Sequence, residues 1–430
     1  MNAPRLELRA AASELAALLV RAGYEAFFAG GCVRDHLLHI TPRDYDIATN
    51  ATPEQLRVLF PKARGVGEVF GVMLVRHAGH VIEVSTFRED GDYQDGRRPV
   101  AVRFADAASD AHRRDFTING IFQRPDTGEI VDFVEGRADL NAKIVRAIGD
   151  PHARIRDDRL RMLRAPRFAA RFNFTLHPLT AEAIRAHASE LLSVSAERVG
   201  DEFRRMMSDP SRLNAARMVE DLGLDHAVFA QRAAEHAWTR LAALPTHASS
   251  STALAAWWLD RLAATHTDLP RPTLIEQRTA VDTMRRNLTL SNDDAAALTS
   301  LLTAREALLD DFSQLTLAQR VRVSSRPGFD EALAVLAGEC PDRCSLLRAQ
   351  IDRENPLRAL PEPLLNGSML LAEGMQASPI FKVILDETLN AQIEGQIDSA
   401  AAALQFARQI VSTSGARDGR QFRGSTDRTS

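Results

Sequence analysis

Two aspartates, Asp44 and Asp46, follow the glycine pair Gly30-Gly31 after twelve intervening residues. In an extended segment residues i and i+2 project to the same face, so the two carboxylates stand together while Tyr45 turns away. Adjacent carboxylates repel unless a cation separates them, and hard divalent ions such as Mg²⁺ take oxygen ligands. Such a pair beside a glycine turn suits two-metal phosphoryl or nucleotidyl transfer. A lone Asp-x-Asp also occurs on solvated strand ends, and Gly-Gly in plain turns, so the neighbouring segments decide.

A third carboxylate, Glu83, sits in the alternating run His80 to Phe87. Ile82 and Val84 are expected to face a core, leaving Glu83 on the side with Ser85 and able to complete the metal-binding set. The polar segment from Glu89 to Pro99 reads as a mobile surface loop, which a lid over a site also requires. Arg113-Arg114-Asp115 opens a pattern read as a helix over 115–122. As a bare pattern it is either a capped, charged first turn or a holder of a triphosphate and a ribose hydroxyl.

The order of these segments carries a resemblance. Gly30-Gly31-Cys32-Val33-Arg34-Asp35, Asp44-Tyr45-Asp46, Glu83-Val84-Ser85-Thr86-Phe87-Arg88, Asp95-Gly96-Arg97-Arg98-Pro99 and Arg113-Arg114-Asp115-Phe116-Thr117-Ile118-Asn119 follow one another. Together they resemble the class II tRNA nucleotidyltransferase and bacterial poly(A) polymerase family, within the polymerase-β nucleotidyltransferase superfamily. The segment Arg156-Asp157-Asp158-Arg159-Leu160-Arg161 is similar to that family's nucleobase-reading helix, with Asp157 where Glu is usual.

The resemblance implies an enzyme that extends the tRNA 3′ end with C and A from CTP and ATP, without a nucleic-acid template. Asp44 and Asp46 would hold two Mg²⁺, one lowering the pKa of the RNA 3′-hydroxyl and one clamping the triphosphate. Gly30, Gly31 and Arg34 would line the phosphates. Arg114 would meet phosphate, and Asp115 the sugar, with Asn119 in the same segment. Asp158 and Arg161, three apart on one helix, would read the base together. An acidic oxygen accepts from the exocyclic amine of C or A and Arg donates to the ring nitrogen, whereas G and U mismatch both groups. Arg164 and Arg167 match positions near the phosphates. Pro166, inside the same helix, removes a hydrogen bond and puts the placement of Arg167 in question.

A bacterial poly(A) polymerase shares these motifs. Gly67-Glu68-Val69-Phe70-Gly71-Val72 lacks a Gly-Arg-Arg-Phe cluster, and the glycine-bearing C-terminal segment points the same way, which favours tRNA. An enzyme restricted to A or CC addition, or an inactive RNA-binding homologue, stays open.

These residues need a sheet to hold them and helices to face it. Extended runs fall at 24–29, 44–48, 66–76, 80–87 and 130–134, with helical patterns at 6–22, 31–38 and 53–60 between them. Beyond residue 150 strand signals nearly vanish and Ala, Leu and Arg recur with helical period. The expected fold is therefore α+β: a polymerase-β-like head over 1–150, then a helical neck (151–210), body (211–345) and RNA-binding tail (346–411). Ser195 is expected to cap a neck helix, and residues 412–430 to be disordered.

Composition agrees. The chain has 430 residues, is 45% hydrophobic and 26% charged, and carries a net charge of −4, which argues against an indiscriminate nucleic-acid binder. Lys62, Lys143 and Lys382 are its only lysines, so positive charge is almost wholly arginine, the side chain with a bidentate fork for phosphate. Cys32, Cys340 and Cys344 are too few and scattered for a disulfide framework, and the N-terminal segment reads as an amphipathic helix without a signal peptide. A cytoplasmic location is expected.

Overall fold

An apolar run ahead of the glycine pair forms an interior strand of the sheet. In the computed structural model, residues 3–66, 70–90, 102–230, 232–263, 271–310, 312–375 and 379–421 are described. Helix α1 (Ala3–Arg21) leads into β1 (Ala26–Ala29), α2 (Gly31–Leu37), β2 (Ile47–Thr49) and α3 (Pro53–Leu59). The short β3 (Arg64–Gly65) precedes the hairpin β4 (Val72–His77) and β5 (His80–Thr86), then β6 (Arg88–Asp90) and β7 (Val102–Phe104). After α4 (Ala107–His112) a 3₁₀ turn spans Thr117–Asn119. It is followed by β8 (Ile121–Gln123), β9 (Ile130–Asp132), α5 (Gly136–Ala142) and β10 (Ile144–Val145).

Seven strands make one mixed sheet in the order β3-β4-β5-β2-β1-β8-β9. β1 lies antiparallel to both β2 and β8, whereas β2 runs parallel to β5 with Ile47 opposite Val84. Continuing that register one residue back brings Asp46 beside Glu83. Alternation along β5 buries Ile82 and Val84 while Val81 and Glu83 stay exposed, as a half-buried strand requires. Phe27, Phe87 and Phe122 meet beneath the sheet with ring centroids 5.8–6.2 Å apart. Local chemistry fixes some boundaries: Thr52 and Gln55 form a reciprocal capping box and Pro53 opens α3.

Then come α6 (Pro151–Asp157), α7 (Arg161–Phe172), β11 (Thr175–Leu176), α8 (Pro178–His187), α9 (Ala196–Met207) and α10 (Arg212–Asp221). β11 pairs in parallel with β10. Residues up to Glu235, together with Asp282–Ser291, form one compact unit that holds the sheet and helices α1 to α10. The second unit comprises His236–Val281 and Asn292–Ser430 and is helical in its described part. Its interior holds an ionic knot. The Arg240 and Arg305 guanidiniums donate to Glu339 at 2.5 and 2.8 Å, and Arg240 also donates to Asp260 at 3.2 Å, all four side chains being buried. A separate apolar cluster in this unit joins Leu370, Ile384, Ala403 and Ala407.

Several expectations need correction. The helix read over 115–122 is a single 3₁₀ turn running into strand β8. Asp115 and Asn119 bond to one another there instead of propagating a helix. The run at 66–76 is not one strand: β3 ends at Gly65 and β4 begins at Val72. Residues 67–69 and the proposed lid from 91 onward lie outside the described residues. Ser195 occupies the N-cap of α9 but makes no side-chain capping bond. The last helix, Ala400–Gln421, carries its backbone past Ser412, because each added residue gains one hydrogen bond once a helix is nucleated. The remainder of the tail, 422–430, is outside the described residues. Pro166 is accommodated within an unbroken α7. The entry of that helix is already tightened by i→i−3 bonds from Arg161, Met162 and Leu163.

One contact in the first unit predicts a large stability effect. A Cβ on Gly200 of α9 would lie 1.9 Å from the Leu288 carbonyl oxygen. Gly200→Ala is expected to cost about 3 kcal/mol by overpacking, read as a lower denaturation midpoint. An unchanged midpoint would contradict this close helix approach.

Candidate active site

The turn between β1 and α2 builds the floor of a cleft. Gly30 has φ 69° and ψ −124°, which side chains rarely tolerate, and a Cβ there would sit 2.9 Å from an Arg114 nitrogen. Gly30→Ala should therefore displace Arg114 and lower turnover about a hundredfold, measurable by steady-state kinetics beside an intact far-ultraviolet spectrum. Wild-type turnover in that variant would show that the turn's shape is irrelevant to the site.

Asp44 and Asp46 lie immediately before β2, with the Asp46 carbonyl accepting from Ala29 N–H at 3.1 Å. Tyr45 is buried and meets Phe28 edge-on at 5.3 Å, while Asp44, Asp46 and Glu83 lie close enough to feel one another's charge. Burial first, then the charges of Glu83 and Asp44, push the Asp46 carboxyl up to about 7, against the pull of Arg114. Glu83 keeps much of its surface exposed and is pushed up less, by partial burial and by Asp44. Cys32 packs behind the pair, its thiol raised to about 12 by burial and by Asp46, and so unreactive.

Carboxylates that repel one another favour a cation between them, and the donors are all oxygen, so the set fits a hard divalent metal. Among the described residues no three His, Cys, Asp or Glu side chains group closely enough to hold a metal by themselves. Substrate phosphate oxygens would have to supply further ligands.

The same cleft, about 1010 Å³, is lined by Gly30, Gly31, Arg34, Asp44, Asp46, Arg114, Asp115, Asn119, Asp158, Arg161, Arg164 and Arg167. Of the sequence-derived candidates only Glu83 stands outside its wall. The cationic side is held rigid. Arg34 is buried, donates to Asp35 at 2.5 and 2.8 Å and to Asn119 at 2.6 Å, and lies over the rings of Phe168 and Phe172. Arg114 donates to the buried Asp110 at 2.9 and 3.2 Å and stacks over Phe122 at 5.0 Å.

Asp115 accepts from its neighbour Phe116 N–H at 2.8 Å, from Asn119 at 2.9 Å and from Arg164 at 2.7 and 2.8 Å. Burial works to raise its carboxyl, but Arg164 and the Asn119 bond outweigh burial and hold it at about 2. Arg167 donates to the buried Glu202 of α9 at 2.5 Å and lies over Phe168 at 4.2 Å, so Pro166 has not displaced it from the cleft.

Asp158 and Arg161 do not share a helix. Asp158 ends α6 in an extended conformation (φ −147°, ψ 104°), and α7 begins at Arg161. An Asx bond from Leu160 N–H to Asp158 competes with helix propagation there. Arg161 donates to the backbone carbonyls of Arg154 at 2.8 Å and Arg113 at 3.0 Å, while Asp158 is held by Arg198 of α9. Both still line the cleft, from adjacent elements.

Asp35, Asp110, Arg198 and Glu202 were not among the candidates, although each anchors a cleft residue. One signal was available for Glu202. It falls on the buried stripe Val199, Phe203, Met206 of an amphipathic helix, where an acid needs a partner.

Comparison with known proteins assigns the family. Residues 26–146 match the family model described as "Poly A polymerase head domain", and residues 173–234 that of the "Probable RNA and SrmB- binding site of polymerase A". The CCA-adding enzyme of Lactobacillus johnsonii is 33% identical over 387 residues, covering 89% of this chain and 92% of that protein. That of Geobacillus thermodenitrificans is 40% identical over 234 residues, 52% of this chain and only 58% of the relative. The crystal structure of the Bacillus stearothermophilus CCA-adding enzyme in complex with CTP superposes with a TM-score of 0.74. Its identity is 27%, and the match covers 96% of this chain and 100% of that one. A relative one-third identical along nearly the whole of both sequences, matched in fold and in head domain, shows that the chain belongs to the CCA-adding enzyme family.

Proposed function

We propose that this chain is a template-independent nucleotidyltransferase that adds C and A to the 3′ end of tRNA from CTP and ATP. The observation that carries this reading is one cleft lined together by Asp44 and Asp46, by a set of arginines, and by Asp158 and Arg161. The Lactobacillus johnsonii and Geobacillus thermodenitrificans relatives are named for the same activity, and the Bacillus stearothermophilus enzyme was solved with CTP.

Asp44 and Asp46 would hold the divalent metal, for which Mg²⁺ is our assignment, with Glu83 adding negative charge from the next strand. When bound, the metal neutralises triphosphate charge and makes the RNA 3′-hydroxyl more acidic. Arg114, fixed by Asp110, offers positive charge to phosphate beside the open backbone of Gly30 and Gly31. Arg34 is already committed to Asp35 and Asn119, so it shapes this corner and adds its field. Asp115 and Asn119 face the sugar, and Arg164 keeps the Asp115 carboxylate ionised. Arg167 supports the wall near Arg164 through their shared partner Glu202.

Asp158 accepts from the amine of C or A. Arg161, held at the cleft wall by its bonds to the Arg154 and Arg113 carbonyls, donates to the adjacent ring nitrogen. The helical regions beyond the head would grip the tRNA acceptor arm by shape and phosphate contacts. The three unpaired cysteines suit a reducing compartment, and we place the reaction in the cytoplasm.

Purified protein given tRNA lacking its CCA end should extend it by C alone with CTP, and by CCA with CTP plus ATP. ATP-only processive tailing of an unrelated RNA would replace this reading with that of a poly(A) polymerase.

A further inference from the structure

We propose that Arg198, in the neck helix α9, is the residue that sets the selectivity of the base-reading carboxylate, by fixing which acceptor site of Asp158 a nucleotide can reach. The proposal rests on the function argued above. Asp158 sits in the break between α6 and α7, where no helix orients its side chain. A carboxylate has about four lone-pair sites on its two oxygens. Oδ1 accepts the Leu160 N–H at 3.1 Å and Arg198 Nη2 at 3.0 Å. Oδ2 accepts the same Arg198 nitrogen at 2.9 Å. One site, on Oδ2, is left for a ligand in the cleft that Asp158 lines.

Selectivity follows from that count. A single remaining acceptor at a fixed position suits one exocyclic amine and opposes a carbonyl oxygen in the same place. Without Arg198 only the Leu160 N–H still holds the carboxylate, which can then turn about that bond and is attracted by the cationic wall. Arg164 already feels its charge, and Arg161 begins the next helix. A rotated carboxylate presents a different oxygen, and an arginine donor drawn towards it can meet the O4 of U or O6 of G. Arg198 touches the base only through Asp158, so it is a positioning residue.

The test measures kcat and KM for CTP and UTP on tRNA lacking CCA, and for ATP and GTP on tRNA ending in CC. Full-length wild type, Arg198→Met, Arg198→Lys, Asp158→Ala and the Met/Ala double variant are compared. Expected are a strong wild-type preference for C and A, and a loss of that preference of at least about tenfold in Arg198→Met. Arg198→Lys, which can still donate to a carboxylate oxygen, should recover part of it. Arg198→Met should add nothing in the Asp158→Ala background, because both changes act through one group.

A purely structural role would slow correct and incorrect nucleotides alike and leave their ratio unchanged, which would overturn the proposal. Additive effects in the double variant would overturn it too. Should Arg198→Met fail to fold, Arg198→Lys carries the same comparison: an unaltered ratio there counts against the proposal and a reduced one for it. A wild type with no preference for C and A would instead remove the proposed function itself, and the proposal with it.

Discussion

Asp46→Asn is expected to abolish incorporation and, in metal-free protein at pH 8, to raise the melting temperature. The first effect follows from the proposed role of Asp46 as an anionic metal ligand, worth several kcal/mol of transition-state stabilisation, or about a thousandfold in rate. The second follows from electrostatics. Burial and the neighbouring Glu83 and Asp44 lift the Asp46 carboxyl from an ordinary 3.8 to about 7. Between those values the folded state binds more protons than the unfolded state, so stability falls as pH rises through that window. Above it, the ionised carboxylate is a standing penalty unless a cation is present. Asn removes the penalty, so the gain in melting temperature should be seen at pH 8 and shrink towards pH 4. Added Mg²⁺ should raise the melting temperature of the wild type and leave the variant unmoved. Retained incorporation, or a variant less stable at pH 8, would show that these carboxylates are not poised for a metal.

Asp115→Ala should have the opposite signature. The Asp115 carboxylate is buried and bonded to Phe116, Asn119 and Arg164. Removing one member of such a pair strands the other and costs about 3 kcal/mol. Because the folded carboxyl lies at about 2, below its ordinary 3.8, the stabilisation is present above the ordinary value and is lost as pH falls between the two. Thermal denaturation of wild type and variant should therefore differ most near pH 7 and converge as pH approaches 2. Incorporation should also fall, since Arg164 loses the group that holds it on the cleft wall. A stability difference below about 1 kcal/mol at pH 7 would contradict the geometry of this pair.

Both predictions concern residues that local patterning could nominate, and they show where such patterning stops. The expected strand at 44–48 begins only at Ile47, so Asp44 and Asp46 stand on the segment that leads into β2, with Tyr45 buried between them. The split of β5 into buried Ile82 and Val84 and exposed Glu83 was readable from strand alternation. The partners were not. Asp115 meets Arg164 from 49 residues away, and Asp158 meets Arg198 from 40 away. Nothing in local periodicity encodes pairings at such separations.

The segment proposed to read the base makes the same point more sharply. Spacing of three implied one helix face for Asp158 and Arg161, but an aspartate that bonds a backbone N–H two residues on ends a helix. The segment at 115–122 failed similarly, where the Asp115 and Asn119 side chains satisfy each other within a single turn. Resemblance named the residues in both segments, and three-dimensional packing determined what they touch.

The central claim is that one cleft chooses C and A by side-chain recognition alone. Its most direct test is to incubate the purified protein and Mg²⁺ with tRNA lacking CCA and all four nucleoside triphosphates at equal concentration, then sequence the 3′ ends. The account predicts ends that read CCA, with U and G absent at each added position. Runs of A, or ends carrying U or G at frequencies near those of C and A, would contradict it.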